Sequence, residues 1–147
     1  MRVESPSKAR ITFRALGHHN VRATHPTTLE ITSEPYLTPR GNCIVAVSST
    51  LTPSILPPSL KRVMKREGSK ISVRLSSGRH ADVIRAEGTN KLALSSKTSM
   101  VIRKSSYVCD RTLAIRADKG ARDLSRGLVR DLIEGRIVII EICAWPV

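Results

Sequence analysis

Short stretches of two-residue periodicity, each cut off by turn residues, set the class of fold open to this chain. Ile11, Phe13 and Ala15 alternate with Thr12 and Arg14, and Leu29 and Ile31 alternate with Thr28, Glu30 and Thr32. Ile71, Val73 and Leu75 repeat the pattern. Successive side chains of a strand point to opposite faces, so this alternation predicts strands with one buried face. Gly17 ends the first strand, Pro39-Arg40-Gly41-Asn42 is turn chemistry, and Ser77-Gly78 predicts a hairpin turn into a strand over Ala81–Ala86. The wholly apolar Cys43–Val47 reads as a central strand. Further strands are expected around Met100–Arg103 and Leu113–Ile115. Arg136–Cys143 closes the chain as a strand apolar on both faces, hence covered on both sides.

Helical periodicity is rarer. Ser59 is a candidate N-cap for a short helix over Leu60–Glu67, stopped by Gly68. Asp118 is a candidate N-cap for a long helix over Lys119–Glu134, with Ala121, Leu124, Leu128 and Leu132 as its buried stripe and Gly135 as its stop. Because strands dominate and helices do not alternate with them, a parallel doubly wound sheet is disfavoured. The expected fold is mainly β (α+β). It is a β-sandwich-like or twisted antiparallel sheet of about seven or eight strands, with one short and one long packed helix. The 147 residues read as a single domain with its core over residues 10–144. Residues 1–8 and the proline-bearing loop 48–58 are read as flexible. No internal repeat or low-complexity tract is visible.

Charge bounds the partner. The formal charge is +13, with a pI near 10.7. The excess is spread, with +3 over residues 1–47, +4 over 48–70, +4 over 71–110 and +2 over 111–147. No block is a polybasic tail, so the charge belongs to folded surface. Such a field attracts nucleic acid, phosphorylated ligands or anionic membrane surface. Aromatic residues make up 3% of the chain, too few for a surface that stacks successive single-stranded bases. The longest clear apolar run, Ile137–Ile140, is far too short to span a bilayer. Glu4, Lys8 and Arg10 interrupt any signal-peptide pattern. Cys43, Cys109 and Cys143 are odd in number and far apart, which is neither a disulfide framework nor a zinc pattern. Cys43 and Cys143, inside apolar patterns, read as buried core thiols, and the chain as cytoplasmic.

Three constellations carry candidate chemistry. His18, His19 and His25 fall in one connection between strands. Neutral imidazoles bind divalent metals or act as a base near neutral pH, so His18 and His25 with Glu30 form a candidate catalytic or metal site. The bland alternative is that they cap turns within the loop. Arg103, Lys104 and Ser105, with Arg111, stand at a strand end where they can grip a phosphate or carboxylate; Arg22 and Arg40 are added to this anion set. The alternative is that Arg111 pairs with Asp110. A polyanion surface is expected from Lys61, Arg62, Lys65 and Arg66 on the short helix and from Lys119, Arg122, Arg126 and Arg130 on the long one. On the long helix, Asp123, Asp131 and Glu134 are near enough to make the stripe a solvated face instead. No P-loop, dinucleotide fingerprint or Gly-x-Ser-x-Gly is present.

Four blocks together resemble a known family. They are Phe13-Arg-Ala-Leu-Gly17-His18-His-Asn20-Val21, Ala23-Thr24-His25-Pro-Thr27-Thr28-Leu-Glu30-Ile-Thr32, Leu37-Thr38-Pro-Arg40-Gly41-Asn42-Cys43-Ile44, and the stretch from Met100-Val-Ile-Arg103-Lys104-Ser105 through Arg111-Thr112 to Ala117-Asp118-Lys119. This is similar to the archaeal family called domain of unknown function 371, over about residues 11–143. The resemblance implies a small single-domain protein with a β-sandwich-like fold and no established biochemical function. It also implies an acidic residue where this chain has Asn42 and a proline where it has His19. Both departures weigh against those positions as acid or ligand.

Three functional readings follow. The first is binding of RNA or another anionic or phosphorylated ligand through the basic clusters. The second is a small enzyme, a hydrolase or phosphate-ligand enzyme, with its site in the histidine loop and a divalent metal as its candidate cofactor. The third is a structural subunit of a ribonucleoprotein or other complex.

Overall fold

Phe13 and Ala15 turn inward from the first strand while Thr12, Arg14 and Leu16 turn outward, and every long strand keeps this division. The computed structural model describes residues 8–147; residues 1–7 of the segment read as flexible lie outside them. The strands are β1 (Ala9–Leu16), β2 (Thr28–Thr32), β3 (Ile44–Ala46), β4 (Lys70–Ser76), β5 (Ala81–Glu87), β6 (Ser99–Arg103), β7 (Thr112–Ala114) and β8 (Ile137–Trp145). The helices are α1 (Pro58–Met64) and α2 (Arg126–Ile133). The fold is mainly β, as expected, with two four-stranded sheets.

The first sheet, in the order β1-β8-β4-β5, is antiparallel throughout. The second, β3-β2-β6-β7, is mixed: β2 and β6 run antiparallel, but β3 lies parallel to β2 and β7 parallel to β6. Single bridges, Leu16 to Val47 and Glu87 to Ile115, stitch the sheets together at both flanks. Their inner faces share one core, which includes Phe13, Val73, Ile84 and Ile140 from the first sheet and Leu29, Ile31, Met100, Ile102 and Leu113 from the second.

The structure contains a repeat that the sequence hides. Strand, strand, short strand, 3-10 turn, helix, strand occurs twice, from β1 to β4 and from β5 to β8. Left-handed residues recur at matching places: Ala23 and Leu94 (φ 50° each), Ser48 and Arg116 (52° and 51°), Gly68 and Gly135 (75° and 81°). The halves interlock. A side chain on Gly17, in the first half, would collide with the carbonyl of Leu132 in α2; one on Gly88 would collide with the matching carbonyl of Met64 in α1. The repeat escapes a reading of residue identity because partners differ in chemistry, as Leu16 and Glu87, Glu30 and Val101, or Val63 and Asp131 do. The 33–43 connection is also longer than its match, 104–111.

Other expectations need correction. β3 is an edge strand of its sheet rather than a central one, with Val45 and Ala46 buried. β8 is not covered on both sides: Ile137 and Ile139 project outward and are exposed. The 48–58 stretch packs against the core through Leu51 and Leu56, with a 3-10 turn at Pro53–Ile55. α1 begins after Pro57 rather than at a Ser59 cap and ends before Lys65.

The long helix is the largest correction. A 3-10 turn spans Ala121–Asp123, Leu124 is extended, and α2 starts after Ser125, whose hydroxyl accepts the Leu128 N–H at 3.2 Å. Asp118 caps no helix. Its carboxylate accepts the Arg85 N–H at 2.9 Å on the outer edge of β5. Asp123 closes the 3-10 turn by accepting the Gly120 N–H at 2.9 Å. The Arg126 guanidinium donates to the carbonyls of Ala121, Arg122 and Leu124, which a continuous helix would have used itself.

Candidate functional site

The two-residue period of β1 places Lys8, Arg10, Thr12 and Arg14 on one outward-facing row. Across from its first residues lies α1; Arg62 in its last turn and Arg66, two residues beyond its end, face the same space. Between strand and helix is a cavity of about 600 Å³. Lys8, Arg10, Arg62 and Arg66 line it with Ser59, and Ala9 and Val63 form its apolar part. Its volume is in the range of small-ligand sites. Among the described residues, the only ion pair made by these four cations is a loose one between Arg10 and Glu141 at 3.9 Å. The Lys8 ammonium lies 4.9 Å from the centre of the Trp145 ring. The face of the first sheet beside the groove adds Arg14, Arg74 and Arg85. Like charges held this close, with Glu141 as their one acidic partner among the described residues, are an arrangement that an anionic ligand relieves.

A second polar cluster crosses the outer face of the second sheet. Glu30, on β2, accepts a hydrogen bond from Arg111 at 3.4 Å and lies 3.8 Å from the Cys43 thiol. Burial, and then the Glu30 carboxylate, push the Cys43 thiol up to about 11. At the end of β6 the Arg103 guanidinium donates to the Thr112 hydroxyl (3.4 Å) and the Cys109 sulfur (3.4 Å), and lies 5.0 Å from the Tyr107 ring. Burial raises the Cys109 thiol, but the Arg111 N–H, the Arg103 guanidinium and the Thr112 hydroxyl outweigh it and bring it down to about 7. A smaller cavity of about 270 Å³ opens beneath the 33–43 connection, where Glu30, Glu34 and Tyr36 face it.

The expected site residues separate. His18 accepts the Asn20 N–H on Nδ1 at 3.0 Å, and His25 accepts the N–H groups of Thr27 and Thr28 at 3.2 and 3.1 Å. Both imidazoles therefore cap their own loop, and His18 stacks on His19. Neither lines a cavity described above, and Glu30 is held by Arg111 instead. Among the described residues no group of three or more His, Cys, Asp or Glu is placed to hold a metal ion. Lys104 pairs with Asp123 at 2.8 Å, and the Ser105 hydroxyl accepts the Tyr107 N–H. Arg22 and Arg40 are exposed, away from both clusters' hydrogen bonds.

The polyanion set also divides. Arg62 and Arg66 line the basic groove, while Lys61 donates to the Ser54 carbonyl at 3.0 Å and Lys65 is exposed at the end of α1. Lys119 is spent on the Val83 carbonyl (2.8 Å) and Asp82 (3.5 Å), and Arg126 on carbonyls. Arg122 and Arg130 remain exposed. Sequence reading missed Lys8, Arg10 and Ser59 as groove residues. The alternation of β1 carried part of that signal, but only the fold places it beside α1. It also missed the trio at the hairpin turn, where Asp131 accepts from the Ser77 hydroxyl at 2.6 Å and sits 3.0 Å from His80 Nδ1.

Residues 13–145 match the family model described as domain of unknown function (DUF371). The chain is also 44% identical over 130 residues to the uncharacterized protein MJ0206 of Methanocaldococcus jannaschii, covering 88% of this chain and 96% of that protein. Among the described residues no helix is long and apolar enough to cross a membrane.

Proposed function

The chain belongs to the DUF371 family, a domain of unknown function, and for this member we propose the binding of a polyanion in the groove between β1 and α1. The observation that carries this reading is the convergence of Lys8, Arg10, Arg62 and Arg66 on one cavity of about 600 Å³. Three cations of the other candidate clusters are already paired, Lys104 with Asp123, Arg111 with Glu30 and Lys119 with Asp82. Ser59 adds a hydroxyl to the wall, and Ala9 and Val63 give the ligand's uncharged parts an apolar floor. The net charge of +13 then steers an anion toward the protein from a distance.

Trp145, the sole tryptophan, sits beside Lys8 and reports on the groove by its fluorescence. Titration with inorganic polyphosphate and with a mixed RNA pool should shift that emission. Affinity should fall steeply with salt, since each neutralised phosphate releases counterions. Arg62→Ser with Arg66→Ser should weaken binding by roughly tenfold or more and flatten the salt dependence by about two contacts. Salt-independent binding, or a double variant that binds as tightly as the parent, contradicts the proposal.

A further inference from the structure

The repeat makes the groove more specific than its charge alone. In the second half, the outer edge of β5 is sealed. Lys119 donates to the Val83 carbonyl at 2.8 Å, and the Asp82 carboxylate accepts the N–H groups of Val83 (2.9 Å) and Ser125 (2.8 Å). The His80 ring covers Gly127 at the start of α2. In the first half the matching side chains are Ile11 for Asp82, Leu51 for Lys119 and Val63 for Asp131. None of them can hydrogen-bond a strand edge.

The edge of β1 that faces away from β8 is used only at its end. The Arg14 N–H donates to the Thr50 hydroxyl at 3.3 Å and its carbonyl takes the Thr50 N–H at 2.9 Å, while Leu16 exchanges two backbone hydrogen bonds with Val47 at 2.8 Å. Alternation along an antiparallel strand puts the N–H and C=O groups of Arg10 and Thr12 on that same side. Among the described residues, nothing bonds them there. Unpaired edge groups beside a helix form the template that an extended peptide completes as an added strand.

We propose that the groove's occupant is an acidic polypeptide segment, docked as a strand on Arg10 and Thr12 with its carboxylates toward Arg62 and Arg66; this rests on the polyanion reading above. A second copy of this chain is disfavoured, because cations on an edge repel a like-charged strand. A single-stranded nucleic acid is disfavoured because, among the described residues, Trp145, covered by Lys8, is the one ring beside the groove, and base stacking needs more.

The test titrates the protein calorimetrically with inorganic polyphosphate and with three further probes. They are a decapeptide alternating Glu and Val, the same peptide N-methylated at alternate residues in either register, and a mixed-sequence RNA of equal charge. The peptide should bind, and N-methylation in one register should weaken it at least tenfold, because only one set of amides faces the strand. Thr12→Pro, which removes an outward N–H, should weaken the peptide by a larger factor than polyphosphate, which takes no part in strand pairing. Equal binding of methylated and unmethylated peptides, or binding of RNA without the peptide, overturns the added-strand inference and leaves the polyanion reading standing. Failure of peptide, RNA and polyphosphate alike overturns both.

Discussion

Each of the three cysteines takes its chemistry from its neighbours. Cys143 is buried among strands, where burial and the Glu141 carboxylate raise its thiol. Cys43 carries the same sign for the same reasons, with Glu30 in place of Glu141. Cys109 is the exception, held near 7 because three donors converge on its sulfur. The thiolate is the nucleophile, so Cys109 should be the first thiol that iodoacetamide modifies near neutral pH. Arg103→Gln should slow that reaction several-fold at pH 7 and leave it little changed near ~pH 9, where an ordinary thiol is also ionised. Mass-spectrometric rates for each cysteine check this; equal rates for all three contradict it. The sequence reading of Cys143 as a buried thiol agrees with its place in β8. Cys43 is only half-buried, because it faces Glu30 on the outside of its sheet. Pattern shows that a residue sits in an apolar run, and the facing carboxylate comes from another strand.

At the scale of elements, the alternating strands were legible almost to the residue because their period reports burial directly. The helices were not. A stripe at helical spacing over residues 121–132 is buried, yet it is divided between a 3-10 turn and α2, because Asp118, Asp123 and Arg126 bond to backbone outside or across the expected helix. Those competing bonds depend on partners far along the chain. The β4–β5 hairpin shows the same dependence. Its turn is fixed to α2 through Ser77, His80 and Asp131, an arrangement no local motif announces. The Ser77 hydroxyl and then the His80 imidazole hold the Asp131 carboxyl below its ordinary value. A carboxylate whose folded value is depressed adds stability that is complete above its unfolded value, about 4, and is lost as pH falls through the folded one. Asp131→Asn should therefore remove part of the acid-side decline. Urea midpoints measured from ~pH 5 downward should fall less steeply for the variant than for the parent. Parallel declines contradict the role given to Asp131.

Taken whole, the molecule repeats one structural unit, and its two halves differ where function is proposed. Gly17 and Gly88 occupy matching positions, and each backbone lies against the other half's helix. Gly17→Ala and Gly88→Ala should each cost roughly 1–3 kcal/mol, because a new methyl must displace backbone. Closely similar losses in chemical denaturation support the equivalence of the two halves, and a large cost at one site with none at the other contradicts it. The mainly β class and the basic character were legible from pattern and composition. The groove was not, since it joins residues 8–10 to residues 59–66, far apart along the chain. The histidine loop drew attention because imidazoles are versatile, but His18 and His25 cap turns, the plainer of the two readings open from sequence.

The central claim is that an anionic partner occupies the groove between β1 and α1. Backbone amide NMR spectra recorded during titration with inorganic polyphosphate test it most directly. The account predicts that the largest shift changes fall on Ala9–Thr12 and Ser59–Arg66 and fade as salt is added. Changes centred instead on the Arg103–Arg111 cluster, or spread evenly over every exposed cation, would contradict it.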